Sequence, residues 1–192
     1  MTVALVLLTA YFVGSIPTSY LVVYRLTGRD IRTLGNGNPG TMNVWDSVGL
    51  RAAAIVAIGD IGKGMAAVGI AYVAGLGDVL AIVAALVAVA GHDFSIFLRL
   101  RGGNGTAAAV GGIIALVPQV ALPSVAAALA IFPIVRSRRI AGLLGMLLIP
   151  VLTYSQGYPQ IKLIGVLLLL TVTALKVLRF EGFAPARSRP PP

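Results

Sequence analysis

Apolar stretches of about 20 residues, separated by short polar segments, set the rhythm of this chain. The first runs from Val3 to Tyr24, the second over about 52–76 and the third over about 79–98. Gly75-Leu76-Gly77-Asp78 turns the chain between the second and the third. A longer stretch, 106–135, carries Pro118 and Gln119 near its middle and Pro123 just beyond. One straight helix of that length would reach about 45 Å, too long for a hydrocarbon layer of about 30 Å. The sequence therefore predicts two short helices turning at Pro118-Gln119. Further runs follow over about 140–154 and 161–178, separated by a turn holding Gly157 and Pro159.

Charge fixes the expected orientation. With seven crossings, Arg25, Arg29, Arg32, Arg51, Arg99, Arg101, Arg136, Arg138, Arg139, Lys176, Arg179, Arg187 and Arg189 fall on one side and Lys162 alone on the other; Lys63 is placed at a helix end facing the basic side. Cytoplasmic loops carry such an excess. A single helix over 106–135 would split the cations between sides, so parity also favours the hairpin. No basic residue precedes the first run, which reads as a retained helix rather than a cleaved leader. The expectation is an all-α integral membrane protein of about seven short transmembrane helices, N-terminus outside and C-terminus cytosolic. Residues 1–179 form one transmembrane domain and 180–192 a disordered cytosolic tail.

Composition removes the alternatives. Of 192 residues, 58% are hydrophobic and 11% charged, with mean hydropathy +0.95. Soluble domains carry about 25% charged residues. The net charge of +9 belongs to loops, not to a solvated nucleic-acid-binding face. With no Cys and one His, thiolate chemistry and a metal site have no ligand set. No G-x-S-x-G elbow is present.

Three glycine-rich segments are placed at span ends on the basic side. They are Gly35-Asn36-Gly37-Asn38-Pro39-Gly40, Gly59-Asp60-Ile61-Gly62-Lys63-Gly64 and Arg101-Gly102-Gly103-Asn104-Gly105-Thr106. Glycine lets successive backbone N–H groups face one concavity, and a following helix adds its free amides and positive end. Nearby cations would complete a phosphate site; helix packing and tight turns are the competing use of such glycines. Asp60 and Lys63 share a helix face, either as functional charges at membrane depth or as an anchoring ion pair. His92, the only histidine, is a candidate for catalysis or for a structural hydrogen bond. Asn36, Asn38 and Asn43 crowd one loop, offering donors and acceptors or simply turn residues.

In this order the segments resemble the bacterial acyl-phosphate:glycerol-3-phosphate acyltransferase family, commonly called PlsY. Gly14-Ser15-Ile16-Pro17 is similar to its first-helix motif, and Gly37-Asn38, Gly40 and Asn43 to its glycine–asparagine loop. Asp60-Ile61-Gly62-Lys63-Gly64 is similar to its D-x-x-K-G. Gly91-His92, Phe97 and Gly102-Gly103-Asn104-Gly105 are similar to its G-H followed by G-G-K-G. The resemblance implies an enzyme of the bacterial inner membrane with its site facing the cytosol. It would move a fatty acyl group from acyl phosphate to the 1-hydroxyl of glycerol 3-phosphate, giving lysophosphatidate and phosphate. It implies no cofactor and no metal, and a soluble PlsX-type enzyme as source of the acyl phosphate. His92, Asn43 and Lys63 would be catalytic. Asn36, Gly37, Asn38, Gly40, Asp60, Arg101, Gly102, Gly103, Asn104 and Gly105 would bind substrate. The chain departs from the family pattern at Asn36 (serine), Thr41-Met42 (Ala-Thr), Asp46 (arginine) and Asn104 (lysine). It also lacks the C-terminal His-Arg-x-Asn, having Leu178-Arg179-Phe180-Glu181. Those changes keep open an acyltransferase with another acceptor alcohol, or a non-enzymatic membrane paralogue.

Overall fold

A computed structural model describes residues 2–181, with side chains through Leu178. Nine α-helices and two short 3-10 turns make up the described residues, with no strand among them. Helix α1 is Val3–Ser15 and α2 Thr18–Thr27; a 3-10 turn (Ile31–Thr33) and α3 (Thr41–Ser47) follow. The spans continue with α4 (Leu50–Val73) and α5 (Gly77–Asp93), the latter followed by a second 3-10 turn, Ile96–Leu98. Then come α6 (Thr106–Leu116), α7 (Pro118–Val135), α8 (Arg138–Ser155) and α9 (Gln160–Glu181). The helix α9 continues to Glu181; the rest of the expected tail, 182–192, lies outside the described residues.

The pattern of burial is that of a membrane bundle. Alanine, valine and glycine fill the interior between α4, α5 and α6, where Ala67, Ala71, Ala84, Ala88, Ala108 and Ala109 are buried. Small side chains let helix axes approach closely. A Cβ added to Gly64 would lie 1.9 Å from the Ala108 carbonyl oxygen, so α4 and α6 touch backbone to backbone there. Large apolar side chains face outward: Val73 is 91% exposed, Ile134 79% and Leu147 64%. Six helical stretches are long and apolar enough to cross a membrane, and α6 is a shorter apolar helix. Pro123, Pro133 and Pro150 sit inside α7 and α8, as membrane helices tolerate.

The predicted break at Pro118 is present. Val117 leaves helical geometry and Pro118 opens α7, where its missing N–H costs nothing. The two helices form a hairpin across the bundle. At one end the Leu116 carbonyl accepts from Lys162 Nζ (3.2 Å), and Gln119 accepts from the Tyr158 hydroxyl. At the other end Phe132 packs edge-on to Trp45, and Arg138 bonds Asp46 at 2.8 Å.

Two expectations are corrected. The first span is not one unbroken helix: it is interrupted at Ile16-Pro17, because Pro17 has no N–H with which to continue the ladder. The segment Gly59–Gly64 is not a span end. It lies in the middle of α4, so Lys63 is also not at a helix end and the amides there are engaged in the helix rather than open to a ligand. Gly59 and Gly64 serve packing instead, against Thr18 and Ala108.

Candidate active site

The interruption between α1 and α2 builds the floor of the site. With the helix broken, the Ile16 carbonyl oxygen accepts from Lys63 Nζ at 2.7 Å. The same ammonium lies 2.7 Å from Asp60 Oδ1 and 3.4 Å from His92 Nδ1. Asp60, Lys63 and His92 are all buried. A buried ammonium or carboxylate is tolerated only when paired and hydrogen-bonded; Lys63 has a hydrogen bond to Ile16, an ion pair with Asp60 and the His92 ring beside it.

Around this cluster two glycine loops close. The Gly102 amide donates to the Asp93 carbonyl (3.0 Å) and the Gly103 amide to the His92 carbonyl (3.2 Å), folding the loop back over the end of α5. A Cβ on Gly102 would stand 1.9 Å from the His92 carbonyl oxygen, so no side chain fits there. A Cβ on Gly103 would stand 2.5 Å from His92 Nε2 and 3.1 Å from the Pro39 carbonyl oxygen. The Pro39 carbonyl is fixed in turn by the Ser19 hydroxyl at 2.7 Å. Ile16, Ser19, Pro39, Lys63, His92 and Gly103 are among the residues lining one narrow cleft.

Asn43 organises the first loop. Its amide nitrogen donates to the carbonyls of Leu34 and Asn38, both at 3.0 Å, and to Ile31 at 3.4 Å. Its oxygen accepts from the Asn36 amide and the Ser47 hydroxyl, both at 3.2 Å. The Asn36 side chain accepts from the Asn38 amide at 3.0 Å, and Gly37 takes a left-handed φ of 77°. Gly40 donates to the Asn38 carbonyl and caps α3. Asn43 thus holds the loop from its interior and does not face the cleft with a free group; Asp60 likewise meets Lys63 rather than an open space.

Gly105 adopts φ 68° and starts α6, whose first amides lack helical partners. Asn104 beside it is buried and Arg101 is exposed. Outside the spans, Arg32 pairs with Asp30 and reaches the Leu98 carbonyl at 3.1 Å, tying the first loop to the second. Its side-chain hydrogen bonds hold the Asp30 carboxyl below the usual carboxylate range. Among the described residues no group of three or more His, Cys, Asp or Glu is placed to hold a metal.

Sequence reasoning missed several residues here. The Ser95 hydroxyl donates to the Ser15 carbonyl at 2.5 Å, pinning the break of α1 to the end of α5. Asp93 is buried beneath the second loop, with Oδ2 3.5 Å from Lys176 Nζ of α9. The proline after Ile16 was the available signal for an open carbonyl; nothing local pointed to the pairing of Asp93 and Lys176, which is long-range.

Comparison with known proteins places this arrangement. Residues 4–182 match the family model described as glycerol-3-phosphate acyltransferase. Glycerol-3-phosphate acyltransferase 1 of Dehalococcoides mccartyi is 39% identical over 173 residues, covering 86% of this chain and 83% of the relative. The glycerol-3-phosphate acyltransferase of Azotobacter vinelandii is 38% identical over 167 residues, covering 85% and 88%. Among solved structures, PlsY (YgiH), an integral membrane glycerol 3-phosphate acyltransferase, superposes in its glycerol 3-phosphate form with a TM-score of 0.84. It is 27% identical, over 95% of this chain and 91% of that one. Its lysophosphatidic acid form gives a TM-score of 0.82 at 26% identity. The break in the first span, the buried Asp60–Lys63–His92 cluster and the folded Gly102-Gly103 loop thus sit in a shared architecture, and the chain belongs to the glycerol-3-phosphate acyltransferase family.

Proposed function

We propose that this protein transfers a fatty acyl group from acyl phosphate to the 1-hydroxyl of glycerol 3-phosphate, releasing lysophosphatidate and phosphate for phospholipid synthesis. One observation carries the reading: two glycine loops from distant parts of the chain meet over the Lys63–His92 pair, with Gly103 facing both His92 and Pro39. Such a corner admits an anionic group close to the backbone. The named relatives act on glycerol 3-phosphate, and the PlsY structures in glycerol 3-phosphate and lysophosphatidic acid forms support the same substrate and product here.

Acyl phosphate is a mixed anhydride and needs no covalent enzyme intermediate. The hydroxyl oxygen adds to the acyl carbon, the bond from that carbon to the phosphate oxygen breaks, and the hydroxyl proton is balanced on the released phosphate. The protein has to hold two phosphates together, aim the hydroxyl and receive the negative charge that develops on the acyl oxygen. The amides that open α6, Asn104 and Arg101 supply the phosphate contacts. Asn36, Gly37, Asn38 and Gly40, in a loop held from within by Asn43, carry the opposing wall at Pro39. The concentration of cations in the loops at this end supports a site at the cytosolic face of the inner membrane, where a soluble PlsX-type enzyme would deliver the acyl donor.

The test is transfer in lipid nanodiscs from palmitoyl phosphate to radiolabelled glycerol 3-phosphate. Labelled lysophosphatidate is expected, and it disappears in Gly103→Leu. No product with a folded protein would overturn the reading. Product only with an uncharged alcohol would transfer the acceptor to that class, in line with Asn104 and Asp46 standing where the family pattern has cations.

A further inference from the structure

The geometry points to His92 as a hydrogen-bond donor to an oxyanion, through Nε2–H, with Lys63 as the positioning residue that fixes this tautomer. The argument starts at Nδ1. Its neighbour within hydrogen-bond range is Lys63 Nζ at 3.4 Å, and an ammonium has hydrogens but no lone pair. Nδ1 must therefore accept. The Asp60 oxygen, the alternative partner that would draw a proton onto Nδ1, stands at 3.7 Å, beyond hydrogen-bond range, and is itself 2.7 Å from the same ammonium. A neutral imidazole that accepts at Nδ1 carries its proton on Nε2. Lys63 is held in turn by a hydrogen bond to the Ile16 carbonyl and an ion pair with Asp60, each at 2.7 Å.

The other edge of the ring lies beside Gly103 at the narrow cleft. Nε2 lies 2.5 Å from where a Gly103 Cβ would stand, so no side chain at 103 can press on this edge, and His92 and Gly103 both line the narrow cleft. The Gly103 amide bonded to the His92 carbonyl holds the two residues together. A donor on Nε2 suits an acyl oxygen becoming negative or a phosphate oxygen. A proton on Nε2 excludes this ring as the acceptor of the hydroxyl proton in that state. The inference rests on the acyl-transfer reading for its chemistry, but the tautomer itself does not.

His92 is the only histidine, so selective ring-nitrogen labelling gives an uncrowded spectrum. The experiment is nitrogen NMR of the full chain in nanodiscs, purified without a polyhistidine tag. The expected spectrum has Nε2 of the protonated type and Nδ1 of the unprotonated type. The reverse assignment overturns the inference, whether or not lysophosphatidate is formed. In Lys63→Met the expected change is loss of this fixed tautomer; an unchanged spectrum removes Lys63 from its positioning role. Kinetics supply the second arm. Glutamine presents an amide nitrogen close to the position of Nε2, asparagine close to that of Nδ1. His92→Gln is expected to keep a measurable share of kcat, whereas His92→Asn falls on the order of 10²-fold, the usual loss when an oxyanion donor is removed. Equal, near-complete loss in both folded variants would mark His92 as a base and overturn the proposal. Full activity in His92→Asn would assign the ring a structural role and overturn it as well. If wild type gives the expected tautomer and no acyl transfer to any alcohol, the failure belongs to the proposed function.

Discussion

The two ends of the helix bundle solve the same problem, polar groups near the lipid, in opposite ways. At the end away from the site, the polar side chains close on one another. Tyr72 donates to Asp78 at 2.7 Å, Lys162 stands 3.5 Å from Asp78 and bonds the Leu116 carbonyl, and Tyr158 bonds Gln119. These contacts staple three turns of chain together. At the site end, polar capacity is left over. The Ser15 and Thr41 hydroxyls and Asp93 Oδ1 are buried without a hydrogen-bond partner among the described residues, and Asp60 Oδ1 has only its ion pair with Lys63. Buried polar atoms are nearly always satisfied, so exceptions need a reason. The contrast teaches that this end is shaped to receive polar atoms from outside the chain, while the other is shaped to hold the helices.

The largest effect that follows is at Lys63. Lys63→Ala leaves the buried Asp60 carboxylate without its counter-ion, a change that costs about 3–5 kcal/mol. Thermal unfolding in nanodiscs should drop accordingly, and transfer should be lost. A variant of wild-type stability would mean that the cluster is solvated and the contrast between the ends is false. Next comes Gly103→Ala. Its Cβ displaces His92 Nε2 and presses on the Pro39 carbonyl, and a displacement of about 1 Å costs about 10²-fold in rate. Steady-state transfer should fall while the unfolding midpoint stays near that of wild type.

The opposite end sharpens the comparison with smaller effects. Lys162→Ala removes a partly exposed ion pair, worth about 1 kcal/mol at most. Its unfolding midpoint should shift slightly and its acyl transfer not at all. The smallest effect is at Asp30. Because Arg32 lowers its folded pKa, the pair stabilises the protein above the ordinary carboxylate range near pH 4, and that contribution fades as pH falls through the lowered value. Asp30→Asn should remove under about 1 kcal/mol at neutral pH and flatten the acid limb of the stability profile.

The sequence pattern made the spans, the turn at Pro118 and the gathering of His92, Lys63 and Gly103 legible. Each is announced locally: by an apolar run, by a ring without an N–H, or by chemistry too costly for a membrane helix to carry idly. It misplaced Gly59–Gly64, because a glycine cluster reads the same whether it opens a loop or admits a neighbouring helix. Only the Ala108 carbonyl across from Gly64 decides between the two. The resemblance implies a catalytic role for Asn43, and the loop pattern did not announce that its side chain binds five groups of its own loop and helix. The helix α3 went unforeseen because seven residues between glycines give no apolar period. The link from Asp93 to Lys176 spans the chain and leaves no local trace.

The central claim is that oxyanions gather where the two glycine loops meet over Lys63 and His92. Equilibrium binding of radiolabelled glycerol 3-phosphate to the protein in nanodiscs tests it most directly, with Gly103→Leu and Lys162→Ala beside wild type. Saturable binding to wild type and Lys162→Ala, lost in Gly103→Leu, is the predicted result. Binding that survives Gly103→Leu in folded protein, or that disappears with Lys162, would contradict the account.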